Sequence, residues 1–363
     1  MSSLQTQLDS LLSNFQEPNL QQDLQSAGVV KHAVADQGQV NIVLELPYPC
    51  QGVAAALQAA LQNEVSKLPA VTGVSIEITQ QIATGHGQHQ LPAMQGVKNI
   101  IAVASGKGGV GKSTTAVNLA LAMAAEGARV GILDADIYGP SQGKMLGVAA
   151  GTKPETHEEK YFFPVEALGL QSMSMAYLID DNTPMVWRGP MVSGALQQLL
   201  TQTFWQDLDY LFIDMPPGTG DVQLTLSQKV PVSGAVIVTT PQDIALLDAK
   251  KGIEMFRKVD IPVLGVVENM SVHICSNCGH AEAIFGSGGG EAIAEQYETR
   301  LLGQLPLALS IREQADAGLP TVAADPEGAH AQIYRDVARK LAISLARLNQ
   351  SEGDMPTILV EED

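Results

Sequence analysis

The string GKGGVGKST at residues 106–114 constrains this chain more than any other feature. It follows the apolar run NIIAVAS (99–105) and opens a helical pattern, the strand–loop–helix context in which a phosphate-binding loop works. Glycines there let backbone N–H groups turn inward, where a side chain would block the approach of a phosphate. The helix that begins in the loop adds the positive end of its dipole. In such a loop Lys112 reaches the β- and γ-phosphates of a nucleotide, the Ser113 hydroxyl ligates Mg2+, and Thr114 lies near the helix start. Gly106, Lys107, Gly108, Gly109, Val110, Gly111, Lys112, Ser113 and Thr114 are therefore the expected nucleotide-binding residues of the loop. A ligand-free glycine turn would need neither the lysine nor the serine.

From Asn99 onward, short apolar runs alternate with helical patterns. ARVGILD (128–134), YLFIDMP (210–216), GAVIVTT (234–240) and IPVLGVVE (261–268) are continuous rather than alternating, as strands covered on both faces are. The expected fold is α/β: a doubly wound, mostly parallel sheet of the P-loop NTPase type, preceded by a small N-terminal α/β domain. In that domain, residues 1–82, Leu4, Leu8, Leu11 and Leu12 recur at helical spacing. Residues 40–46 alternate as a strand, and a helix (53–68) and a further strand (71–78) follow. Residues 83–97 carry Gly, Gln, His and Pro without periodicity and read as a linker. The nucleotide domain then spans 98–350. It closes with an amphipathic helix over 329–349, with Ile333, Val337, Leu341 and Leu345 on one stripe, and an acidic tail over 351–363 follows.

Charge and cysteine usage narrow the setting. The formal net charge is −18, and no run of Lys and Arg is long enough to override it, so neither nucleic acid nor an anionic membrane is an expected partner. MSSLQTQLDS lacks the basic start and apolar stretch of a signal peptide, and no apolar run reaches bilayer-spanning length. The three cysteines, Cys50, Cys275 and Cys278, are odd in number and argue against a disulfide framework. The expected location is cytoplasmic.

Lys107 is an addition that the general loop template does not require. With it, KGGVGKS resembles the deviant Walker A loop of the MinD, ParA and nitrogenase-iron-protein superfamily. The resemblance implies that Lys107 reaches across a dimer interface to the partner's phosphates. It also implies that Asp134, at the strand end in LDADIYGPS, helps hold hydrated Mg2+ and that Asp136 orients the attacking water. Lys107, Lys112 and Asp136 are then the expected catalytic set. Asp214, after the apolar run LFI, is the Walker B carboxylate, and PPGTGD (216–221) looks like a switch that offers the Gly218 backbone to the γ-phosphate. Asn269, just past VLGVVE, is implied as an adenine contact, with LGQLP (302–306) on the same side. Nothing physical excludes GTP, although the guanine-reading NKxD pattern is missing, and ATP is the expected nucleotide.

HICSNCGH (273–280) sets Cys275 and Cys278 in a C-x-x-C, which is half a metal site. His273 and His280 would complete a zinc set within one chain. Two chains on a two-fold axis would instead supply four thiolates for a [4Fe–4S] cluster. A redox dithiol is a third reading, but such pairs gain a low thiol pKa by opening a helix, which GSGGGE downstream does not offer at once. The dimer implied by Lys107 supplies the axis and favours the cluster.

Taken together, the loop, LDADIYGPS, WRGPM (187–191), FIDMPPGTGD, ENMSVHICSNCGH and IFGSGGGE resemble the Mrp/ApbC group of P-loop iron–sulfur cluster carriers over about residues 97–350. The N-terminal portion resembles the small domain that accompanies bacterial members and also occurs in iron–sulfur assembly factors. Cys50, after LPYP, falls where some of those domains carry a cysteine. It is either used by a transfer partner or is a small buried hydrophobe. The resemblance implies a homodimer that takes a labile cluster from an assembly scaffold and delivers it to apo iron–sulfur proteins, with slow ATP hydrolysis. Two other readings stand beside it: a MinD- or ParA-like positioning ATPase, and an ATPase with structural zinc at the thiol pair. The positioning type needs a basic tail or patch, which the acidic C-terminus does not offer.

Overall fold

The alternation of Val40, Ile42, Leu44 and Leu46 with more exposed residues makes a half-buried strand, and the first unit of the fold is organised around it. The computed structural model describes residues 3–85, 91–158, 160–178, 189–275 and 277–353. The chain divides into two compact units, Met1–Ala83 with Ala125–Gly127, and Thr84–Ala124 with Ala128–Asp363. In the first unit, α1 (Ser3–Leu12) is followed by β1 (Val30–Asp36), β2 (Gln39–Leu46), α2 (Gln51–Val65) and β3 (Gly73–Gln80). β1 pairs antiparallel with β2, and β2 pairs parallel with β3 across the α2 crossover. Gln37 and Gly38, both at positive φ (48° and 83°), form the two-residue turn that joins β1 to β2. Leu8 and Leu12 of α1, Leu57 and Leu61 of α2 and the inward residues of β2 are buried.

The second unit holds one eight-stranded sheet. Its elements in chain order are β4 (Val97–Ala104), α3 (Lys112–Ala125), β5 (Val130–Asp134), α4 (Gln142–Met145), β6 (Val165–Ala167), β7 (Leu170–Ser174), α5 (Gly189–Gln202), β8 (Leu208–Asp214), α6 (Asp221–Lys229), β9 (Gly234–Thr239), α7 (Asp243–Lys258) and β10 (Val263–Glu268). A two-stranded hairpin, β11 (His273–Ile274) and β12 (Ala281–Glu282), precedes α8 (Gly289–Gln296) and β13 (Leu301–Gln304); α9 (Leu309–Asp316), α10 (Thr321–Ala324) and α11 (Ala329–Gly353) close the chain. The strand order is β6-β7-β5-β8-β4-β9-β10-β13, antiparallel only between β6 and β7. β5, β8 and β9 are buried at every position, which is why their sequences read as unbroken apolar runs. Leu196, Leu199 and Leu200 of α5 and Ile253 and Phe256 of α7 pack with Ile100, Leu133, Leu211 and Ile237 in one core cluster.

Two features of this topology position a site. The chain leaves β4 through α3 to reach β5 on one side, while β9 lies on the other, so a crevice opens beyond the carboxyl end of β4. The β5–β8 register also pairs Asp134 directly with Asp214, bringing two carboxylates together at the same sheet edge.

Boundaries shift slightly from the sequence reading. β4 begins at Val97, the last residue of the stretch read as linker, because Val97 pairs with Leu208 in the ladder. α11 runs three residues into the stretch read as tail. Residues 354–363 of the tail, 86–90 of the linker, and Trp187 and Arg188 of WRGPM lie outside the described residues. Among the described residues no helix is long and apolar enough to cross a membrane.

Candidate nucleotide site and thiol hairpin

The loop between β4 and α3 is held in shape by close backbone approaches. Gly111 sits at φ 81°, and a Cβ there would lie 2.1 Å from Asn269 Nδ2. At Gly106 a Cβ would lie 2.0 Å from the Asp248 carbonyl oxygen of α7, so the first turn of the loop rests directly on that helix. The loop encloses a cavity of about 200 Å³ lined by Ser105, Lys107, Gly108, Gly109, Gly111, Lys112, Ser113, Thr114, Asp136 and Pro217. Lys107 is exposed, Lys112 is buried, and the buried Val110 turns its carbonyl to Asn269 Nδ2 at 2.8 Å.

Behind the cavity lies a compact charge network. Lys112 Nζ is ion-paired to Asp214 Oδ1 and stands 3.2 Å from Ser113 Oγ. Asp134 accepts three backbone N–H bonds, from Asp136 at 3.1 Å, Ser141 at 2.8 Å and Gln142 at 2.9 Å. Burial, reinforced by the Asp214 charge, nevertheless holds the Asp134 carboxyl above the usual carboxylate range. Burial raises half-buried Asp136 as well, with the Lys112 charge pulling the other way. Gln142 donates through Nε2 to Asp214 Oδ2 at 2.8 Å and to the Ser113 carbonyl at 3.1 Å. Sequence reasoning missed Gln142, since its partner Asp214 lies 72 residues away and no motif names it. The set suits Mg–nucleotide: an all-oxygen donor group of one hydroxyl and two carboxylates for a hard cation, beside a cradle of backbone N–H groups for phosphate.

Two expected ligand contacts are engaged internally. The Gly218 N–H, read from sequence as available to a γ-phosphate, donates to the Ser105 carbonyl at 2.9 Å. Gln223 of α6 anchors the same segment through the Pro217 carbonyl at 2.6 Å. Asn269, implied as an adenine contact, spends its Nδ2 on the loop.

The thiol pair lies at the tip of the β11–β12 hairpin. Cys275 N–H donates to the His280 carbonyl at 2.9 Å, and Gly279, at φ 72°, donates to the Cys275 carbonyl at 2.8 Å, closing a tight knuckle. N–H groups of Cys278 and Asn277 point at the Cys275 sulfur and lower its thiol pKa. Cys278 is exposed. The His273 ring is turned to the Leu307 carbonyl, 3.0 Å from Nδ1, and among the described residues no three His, Cys, Asp or Glu side chains gather as a metal site. The one-chain zinc set is therefore not assembled. Cys50 is only 3% exposed, and burial pushes its thiol up to about 11, the environment of a small hydrophobe.

A phosphate cradle at the switch point of a parallel sheet, backed by paired strand-end carboxylates, defines a class, the P-loop NTPases. Comparison with known proteins narrows the class. A family model described as NUBPL iron-transfer P-loop NTPase matches residues 96–342, and one described as iron–sulfur cluster assembly protein matches residues 5–78. An iron–sulfur cluster carrier protein of Pseudomonas fragi is 69% identical over 278 residues, covering 77% of this chain and 97% of that protein. One from Escherichia coli (strain K12) is 52% identical over 343 residues, covering 94% and 93%. Among solved structures, the nucleotide-binding protein from Archaeoglobus fulgidus in complex with ADP superimposes with a TM-score of 0.57 at 36% identity, over 66% of this chain and 93% of that one. The chain belongs to the iron-transfer P-loop NTPase family, in agreement with the resemblance drawn from its motifs.

Proposed function

We propose that this chain is an ATP-binding and ATP-hydrolysing carrier that, as a homodimer, holds a [4Fe–4S] cluster between the Cys275–Cys278 pairs of two copies and passes it to apo iron–sulfur proteins. One observation carries the reading. The hairpin presents two sulfurs, one with a lowered pKa, and among the described residues no third ligand stands beside them. A four-sulfur set therefore needs a second chain. Ile274 in the hairpin and Ile284 just past it, both more than half exposed, suit coverage by that second copy. Family membership and the carrier proteins named above support the same reading.

In this reading residues 1–82 are the assembly-type domain, 98–350 form the ATPase, and an assembly scaffold is the cluster donor. The reduced, open thiol pair fits a cytoplasmic compartment. On ATP binding, Lys112 turns from Asp214 to the β- and γ-phosphates, and the N–H groups of the loop wrap the phosphate oxygens. Lys107 points from the rim to the nucleotide of the partner. Ser113, Asp134 and Asp214 are the residues that would hold Mg2+, which when bound would neutralise phosphate charge. Asp136, at the cavity wall, orients the attacking water, and Gly218 exchanges the Ser105 carbonyl for the γ-phosphate. Anaerobic purification with iron, sulfide and zinc counted per chain, alongside the oligomeric mass, tests the proposal. Half a four-iron cluster per chain in a dimer is expected; fully loaded monomers, or zinc in place of iron, would sink it.

A further inference from the structure

Asp134 and Asp214 are neighbours in the β5–β8 register, and both are essentially buried, 1% and 0% exposed. Two carboxyl groups so placed must be satisfied locally, whichever of them carries the charge. Asp134 has three backbone donors, whereas Asp214 has Lys112 and Gln142. Once Lys112 moves to a phosphate, the Gln142 amide is the one of these two partners that stays on Asp214.

Gln142 is itself only 1% exposed, and it touches three parts of the expected Mg2+ site at once. Its backbone N–H holds Asp134 Oδ2, one amide hydrogen holds Asp214 Oδ2, and the other holds the carbonyl of Ser113, whose hydroxyl is the expected ligand. Both amide donors are thus committed, which fixes the amide plane. The remaining atom, Oε1, is buried without a hydrogen-bond partner. An orphaned buried carbonyl is destabilising, and a methionine or leucine would fill the same volume without that defect. Packing alone does not account for the residue.

We infer that Gln142 is a positioning residue for Mg2+: through its backbone N–H and its two amide hydrogens it ties both carboxylates and the loop together, so that they would meet the ion's water shell in one fixed geometry. This rests on the nucleotide reading given above. Outer-shell partners of this kind typically alter metal affinity by about 10–100-fold when removed.

The test uses the full-length chain, the near-isosteric Gln142→Met and the amide-retaining but shorter Gln142→Asn. Binding of a fluorescent ATP analogue is titrated in EDTA and at stepped Mg2+ concentrations, with thermal melting as the check on folding. In both variants the affinity in EDTA is expected to stay within about twofold of the parent, while the Mg2+ concentration for half-maximal enhancement rises about tenfold or more. An unchanged Mg2+ midpoint in a folded variant overturns the inference. Equal losses with and without Mg2+ also overturn it, because that is what a purely structural role gives. Failure of both variants to fold assigns Gln142 to the core alone and overturns it too. A parent whose nucleotide binding ignores Mg2+ defeats the nucleotide reading itself, and this inference with it; that outcome is visible before any variant is made.

Discussion

Replacing Lys112 by methionine keeps the buried volume and deletes the charge, so it isolates what the ammonium does for the fold. Lys112 and Asp214 are 6% and 0% exposed, respectively. Removing one member of a buried pair leaves the other uncompensated, a loss of roughly 3–5 kcal/mol. Asp214 keeps its 2.8 Å bond from Gln142, which places the expectation at the lower end, about 3 kcal/mol. At about 2–4 °C per kcal/mol, that lowers the melting temperature by roughly 6–12 °C. The assay is thermal melting in EDTA without nucleotide, on Lys112→Met and on the double variant Lys112→Met with Asp214→Asn. Removing the orphaned carboxylate as well should return more than half of the loss, a coupling typical of residues in direct contact. The same Lys112→Met protein should hydrolyse no ATP yet load iron and sulfide as the parent does. A single variant that melts within about 1 °C of the parent would refute the reasoning, since the pair would then be stabilising nothing.

Other expectations follow from the same geometry. Cys275→Ala and Cys278→Ala should each lose the brown chromophore while binding nucleotide normally; full in-cell activity of both variants would end the carrier proposal. Iodoacetamide near neutral pH should label Cys275 well before Cys50, whose thiol is pushed up to about 11 and buried, and peptide mass spectrometry reads the order. Gly111→Ala must place a Cβ 2.1 Å from Asn269 Nδ2 at φ 81°, so nucleotide affinity should fall about tenfold or more, consistent with a left-handed cost of roughly 1–2 kcal/mol plus the clash. Asp134 is held above the usual carboxylate range, so the folded state retains a proton that the unfolded chain has released. Stability of the protein in EDTA should therefore fall as pH rises through that window, and Asp134→Asn should lose this slope; denaturant titrations between about pH 5 and about pH 8 compare the two, and identical slopes would count against the assignment.

What could be read from sequence divides along physical lines. β5, β8 and β9 were legible because burial on both faces leaves a continuous apolar signature. β7 and β13 were not: Gln171, Ser172 and Ser174 interrupt one, and the other is four residues long with Gly303 inside it, read instead as part of an adenine-side loop. β1 was hidden by Lys31 and His32, two successive exposed residues where the register shifts, which break the alternation. The phosphate loop could be read residue by residue, since its chemistry is written in contiguous sequence. The network behind it could not. Lys112 meets Asp214 across 102 positions and Gln142 meets it across 72, and it is the pairing of β8 with both β4 and β5 that brings them together. The thiol pair was legible as a C-x-x-C, but not the N–H groups that lower one thiol, because those depend on the turn at Gly279.

The internal partners of the nucleotide site also determine how binding must couple to the rest of the protein. Lys112 is bonded to Asp214, the Gly218 N–H to Ser105, and Asn269 to the loop carbonyl of Val110. In the function proposed above, a triphosphate arriving in the cavity would exchange these bonds for its own instead of filling vacant donors. Net gain per neutral exchange is small, about 1 kcal/mol or less, because each bond formed is matched by one broken. An exchange at Gly218 would have the further consequence that releasing Ser105 loosens a segment otherwise held, among the described residues, by Gln223 on the Pro216 and Pro217 carbonyls and by the Leu224 N–H on the Gly220 carbonyl. Movement of PPGTGD is thus a requirement of γ-phosphate binding through that N–H. A ligand lacking the γ-phosphate has no replacement to offer Ser105, so ADP should leave the latch closed. On this proposal the two nucleotides would differ in what they do to this segment because they differ in which internal bond they can replace.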